Sequence, residues 1–219
     1  MNPQRAALLA SLQATISDME GKPRPSQRPE RARLPSNVPL PTGVSLLDEL
    51  FGGWPRPGVT EITGPAGSGR FSLALPALGA LTRAGRPAAV VDPYEVLHPP
   101  GLPGIRLQRL LVVRPGPAPR GAWAAEQLLA SGVFSLVVGL DLPGAQRGGR
   151  KLSLAANRGN SALVLIARHS EERLPAALRL EVTGRGPGGI ALTVRRQRGG
   201  RCGTSIEVPP GLIAPGMIR

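Results

Sequence analysis

From residue 59 onward the apolar positions come in short uninterrupted runs separated by helical stretches. VTEIT (59–63), AAVVD (88–92), LLVVR (110–114), SLVVGL (135–140) and ALVLIA (162–167) predict parallel strands covered on both faces, because a strand with one wet face alternates instead. FSLALPALGALTRAG, GAWAAEQLLASG and RKLSLAANRG predict helices between them. LRLEVT (178–183), IALTVRR (190–196) and TSIEV (204–208) do alternate, which predicts antiparallel edge strands with one solvated face. The fold class is α/β, a mostly parallel twisted sheet with antiparallel C-terminal edge strands and one additional helix at the N-terminus.

That helix is predicted for residues 4–20, where Leu8, Leu9, Leu12, Ile16 and Met19 fall within an arc of about 100° at helical period. Gly21 ends it. The next segment, KPRPSQRPERARLPSNVPLP, has proline at 23, 25, 29, 35, 39 and 41 and reads as an extended basic linker. The expected organisation is a helix over 1–21, a linker over 22–36 and a core domain over 37–219. A helix of about 17 residues is marginal alone in water, so its apolar stripe needs a surface. That surface is either the chain's own core or another protomer or protein.

Composition narrows the class. At 219 residues the chain is long enough for one α/β core with a short appendage. Cys202 is the only cysteine, so no intramolecular disulfide and no multi-cysteine zinc site is expected, in keeping with a reducing cytosol. No segment approaches the roughly 18 apolar residues of a membrane span, and no signal-peptide core is evident.

The net charge is +13, and 13 of the 27 basic residues against 4 of the 14 acidic ones fall in residues 143–219. Uniform codon bias toward arginine would not concentrate the excess in the last third. A surface facing nucleic acid and a merely solvated face both remain open. The cations best placed for phosphate contact are Arg147, Arg150, Lys151, Arg195, Arg196, Arg198 and Arg201. They lack interleaved aromatics, so any DNA binding is expected to be non-specific and salt-sensitive. His98 and His169 are isolated and expected at the surface. Trp54 and Trp123 are expected to be core or cover residues, and no metal site is expected.

The sharpest local signal is GPAGSGRF at 64–71. A phosphate-binding loop reads GxxxxGK followed by Ser or Thr, and strand VTEIT, glycine loop, helix is its proper context. Gly64, Gly67, Ser68 and Gly69 keep the turn, but Arg70 replaces the lysine and Phe71 the hydroxyl residue that ligates magnesium. The planar guanidinium differs from the compact ammonium such a loop encloses. Pro76 falls inside the predicted helix, where it would remove a hydrogen bond and cost about 3 kcal/mol.

PTGVSLLDELFGGWPRPGVTEITGPAGSGR (41–70), TRAGRPAAVVDP (82–93), RLLVVRP (109–115) and AAEQLLASGVFSLVVGLD (124–141) resemble, in order and spacing, the core of the RecA recombinase family. The resemblance covers about 170 residues, and RAALLASLQATI resembles that family's N-terminal helix, which docks on a neighbouring protomer. Measured against it, the working parts are displaced together. Tyr94 stands where the catalytic glutamate belongs, with Glu95 one place late. Leu140 stands where the metal-associated aspartate belongs, with Asp141 one place late. Arg168 maps to the glutamine that links nucleotide to DNA, and the two DNA-binding loops shorten to PGAQRGGR (143–150) and HSEERLPAA (169–177).

Within the superfamily the pattern is similar to the ImuA family of accessory proteins, through LPTGVSLLDELF, DPYEVLHPPGL and LLVVRP followed by WAAEQ. That resemblance implies a non-enzymatic protein without cofactor in the bacterial cytoplasm near the nucleoid. It implies DNA-damage tolerance and the SOS response as the setting. The implied partners are RecA, the polymerase-like protein ImuB and an error-prone C-family polymerase, with self-association through the N-terminal helix as a further expectation. Other readings stay open: a DNA-binding module using the basic last third, a cell-division inhibitor of the SulA type and, more weakly, an active ATPase, with retention of a nucleotide also left open.

Overall fold

The computed structural model describes residue 7 and residues 10–16, 37–102, 104–116, 120–170, 174–200 and 202–213. The chain separates into two compact units, Met1–Pro35 and Ser36–Arg219. In the first, residues 10–16 are helical (α1), with Leu12 buried and Ile16 half-buried. Leu8, Leu9, Met19 and the linker over 22–36 lie outside the described residues.

The second unit is built on an eight-stranded sheet. Its strands are β1 (Gly58–Thr63), β2 (Ala88–Val91), β3 (Leu110–Val113), β4 (Leu136–Leu140), β5 (Ala162–Ala167), β6 (Leu178–Gly186), β7 (Gly189–Gln197) and β8 (Ser205–Val208). Their order is β3-β2-β4-β5-β1-β6-β7-β8. β3 through β6 in that order run parallel, while β7 and β8 return antiparallel. Every residue of β1, β2, β4 and β5 is buried, which is why those runs show no alternation in the sequence.

The helices of this unit are α2 (Ser45–Phe51), α3 (Leu75–Arg83), α4 (Arg120–Ala130), α5 (Ala145–Gly159) and the single turn α6 (Pro210–Ile213). The crossover from β1 to β2 carries α3 in one direction along the sheet; those from β3 to β4 and from β4 to β5 carry α4 and α5 in the other. Right-handed crossovers therefore put α3 on one face and α4 with α5 on the opposite one, and α4 packs along α5. Trp54 is wholly buried and tilts against Phe51 at a centroid distance of 5.6 Å, whereas Trp123 is half-buried. No helix among the described residues is long and apolar enough to cross a membrane.

Three expectations are corrected. LRLEVT forms β6 and does alternate in burial, but it pairs in parallel with β1 and antiparallel only with β7. Alternation reports which face is wet, not which way the strand runs. The stretch FSLALPALGALTRAG is not one helix. Residues Phe71–Ala74 form a 3-10 turn and α3 begins at Leu75, so Pro76 sits in the first turn, where its missing N–H has no intrahelical partner to lose. Finally, PGAQRGGR is not a loop: α5 starts at Ala145 and takes in most of it, leaving Pro143 and Gly144 as the connection.

Candidate functional site

Because the first six strands of the order are parallel, the carboxyl ends of β2, β4, β5, β1 and β6 share one edge, where open α/β sheets bind ligands. The glycine loop leaves β1 there. Gly64 has φ +143°, and a Cβ on it would run into the carbonyl oxygen of Val182 in β6. A Cβ on Gly69 would meet the Ile190 side chain of β7. Gly67 also has positive φ but faces open space. Two of the three glycines therefore answer to the β6–β7 hairpin, which extends past the end of β1 and packs beside the loop. Ser68 is buried, its amide donates to Pro65 O at 3.3 Å, and its hydroxyl has no hydrogen-bond partner among the described residues.

Arg70 turns inward. Its guanidinium is buried and its Nη1 donates to the carbonyl of Ala167 at the end of β5. Burial lowers its pKa from the usual arginine value; Asp141 acts to raise it and Arg168 to lower it. Where a loop lysine would face phosphate, this side chain ties the loop to the neighbouring strand. Phe71 opens the 3-10 turn that follows.

Of the neighbouring acids, Asp92 has a structural role. Asp92 is fully buried, and its carboxylate accepts from Val96 N at 3.1 Å and Leu97 N at 2.9 Å. Arg114 faces it at 4.0 Å and donates to Leu97 O at 3.0 Å. Glu95 is exposed on the turn so formed, at φ +56°. Leu140 is buried in β4, and Asp141 follows at φ +42° with its carboxylate 3.9 Å from Arg168 Nε.

A buried carboxylate that the sequence reading passed over is Glu61. It lies fully buried in β1, 3.2 Å from Arg179 Nε, and accepts a 2.9 Å bond from the Ser170 hydroxyl. Arg179 also donates to Leu174 O at 2.8 Å, so one network fastens the β5–β6 connection to β1. The signal was a lone acid in an apolar strand, VTEIT. Its partner became identifiable only through the register that sets Glu61 opposite Arg179.

Two cavities open along this edge. One, of about 500 Å³, lies between Tyr94, Val96, Leu140, Asp141, Leu142 and Arg168; the other, of about 800 Å³, lies between the glycine loop, Arg168, Arg179, Glu181 and Arg195.

The basic residues divide into two groups. Arg147, Arg150 and Lys151 are exposed on α5, joined there by Arg158, and α5 has no acidic residue. Arg196 and Arg198 are exposed at the end of β7 and just beyond it. Arg195 differs from the rest, since its guanidinium is engaged with Glu181 across the β6–β7 pair. Arg201 lies outside the described residues. His98 and His169 are both exposed.

Arg70→Ala is expected to lower stability by about 1–3 kcal/mol, the cost of leaving a buried carbonyl without its charged donor, read as a drop in the urea midpoint. A loop strained to hold phosphate would instead show unchanged or raised stability on losing this charge.

No family model matches the chain. In sequence it is 36% identical to RecA of Acidothermus cellulolyticus over 129 residues, which is 57% of this chain and 37% of that protein. It is 34% identical to RecA of Pseudarthrobacter chlorophenolicus over 140 residues, 62% of this chain and 40% of the other. The chain thus spans about two fifths of the length of these relatives. In structure it is similar to the RadB recombinase, with a TM-score of 0.67 at 20% identity over 80% of this chain and 97% of the other. On both counts, a parallel sheet with a glycine loop after β1 and the likeness to RecA and RadB, the chain has the RecA-like recombinase fold.

Proposed function

We propose that this protein is a non-catalytic RecA-like accessory factor of DNA-damage-induced mutagenesis, acting in translesion synthesis through protein partners. The observation that carries this reading is Arg70, whose guanidinium is bound to the Ala167 carbonyl where a loop lysine would meet phosphate. Phosphoryl transfer needs a phosphate cradle, a magnesium site and a positioned base together. Phe71, Leu140 and the outward-facing Glu95 remove the remaining parts. The partners are a RecA protomer, met by the N-terminal helix once the stripe that includes the buried Leu12 is released, and the ImuB and C-family polymerase machinery. The likeness to RecA supports the first of these, because surfaces that fit one RecA-like core suit another.

A second function is favoured by α5. Arg147, Arg150, Lys151 and Arg158 are exposed, and none has an ion pair among the described residues. Four exposed cations on one helix suit a phosphate backbone read without sequence preference.

Titration calorimetry with MgATP is expected to show no binding, and a tight, magnesium-dependent heat would overturn the first reading. Immobilised full-length protein is expected to capture RecA, and a chain lacking residues 1–21 to lose that capture; equal capture by both removes the docking role of the helix. If α5 contacts single-stranded DNA through four phosphates, affinity should fall about 50-fold between 50 and 200 mM salt. Arg150→Ala with Lys151→Ala should then flatten the slope of log K against log salt by about 1.4.

A further inference from the structure

The two cavities at the carboxyl edge adjoin at Arg168 and His169, which line both, and are taken together as one groove. The groove crosses from the end of β2 to β7, five strand spacings or about 24 Å. Its halves differ in chemistry. The β2 half is floored by Leu140, Leu142 and Leu165 and rimmed by Tyr94 and Val96, which are 60% and 72% exposed. The β6–β7 half carries Arg168, Arg179 and Arg195 beside the backbone of the glycine loop.

The exposed rim is held in place. Asp92 fixes the amides of Val96 and Leu97, and Arg114 fixes the carbonyl of Leu97, so Leu97 is anchored inside while Tyr94 and Val96 are held out. An apolar pair presented on a turn secured by a buried carboxylate is pre-organised to bind, because little rotational freedom is left to lose. Arg168, at the junction of the halves, has a side chain 71% exposed and only a 3.9 Å contact with Asp141. Such a surface pair contributes little, which leaves the guanidinium fork available to a carboxylate in bidentate geometry.

We propose that this groove docks an extended peptide segment of a protein partner, about seven residues long at about 3.4 Å each. The segment carries an apolar side chain for the Tyr94–Val96 end and an acidic side chain for Arg168 at the middle of the groove. The proposal rests on the preceding reading that the groove is not a nucleotide site, and it names the chemistry of the partner that reading requires. Charge placement decides against nucleic acid. Glu95 stands beside Tyr94, Asp141 lines the first cavity and Glu181 the second. A continuous phosphate chain would cross all three, whereas a peptide places its few charges where the cations are.

Display of random heptapeptides against the immobilised full-length protein, followed by synthesis and fluorescence titration of the strongest binder, tests this. The expected outcome is a consensus pairing an apolar residue with at least one acid. Affinity should fall about tenfold or more in Val96→Asp and in Arg168→Glu, with thermal melting unchanged, and should be indifferent to Lys151→Glu. No enrichment, a consensus without an acid, or equal binding by both groove variants overturns the proposal. So does a thymidine 20-mer that displaces the peptide and loses binding in the same two variants, which would make the groove a nucleic-acid site. MgATP is titrated in parallel. If it binds at the loop, the non-catalytic reading fails; if it does not and peptides also fail, only the groove inference falls.

Discussion

β1 is the strand on which the rest of the core depends. It pairs in parallel with β5 on one side and with β6 on the other, and every one of its residues is buried. Such a strand can carry a charge only if the charge is paired, and Glu61 meets that condition through Arg179 and Ser170. Removing one partner of a buried ion pair costs far more than the pair contributes. The network therefore sets the register of β6 and the path of the β5–β6 connection more than it adds stability. β1 also delivers the glycine loop to the edge where five other strands end.

At that edge several polar side chains are engaged within the fold. Arg70 binds the end of β5, Asp92 organises the turn after β2, and Asp141 lies against Arg168. The glycines at 64 and 69 stay small because β6 and β7 press against them. The space left along the edge is lined by Leu140, Leu142 and Leu165 on one side and by Arg179 and Arg195, each paired with a carboxylate, on the other.

Much of this was legible in the chain. The uninterrupted runs VTEIT, AAVV, LVVGL and ALVLIA announced buried parallel strands because both faces of each are covered. The alternating burial of β6 was also legible, but its direction was not, since direction depends on which neighbour it pairs with. Pro76 looked like a fault inside a helix because sequence does not mark where a 3-10 turn gives way to α3. The stretch 143–150 looked like a loop because it stands where the resembled family carries a DNA-binding loop, and its glycines are poor helix formers. Packing of α5 along α4 and over the sheet overrides that preference.

The sequence by itself determined the α/β class, the glycine loop and the substitution of its lysine and hydroxyl residues, because periodicity and residue identity are local properties. Where Arg70 goes, which residue Glu61 meets and how Tyr94, Val96 and Arg168 come to line one groove were decided only by the tertiary structure. Those contacts join residues about 75 to 120 positions apart, and only the parallel sheet, by bringing strand ends to one edge, makes them neighbours.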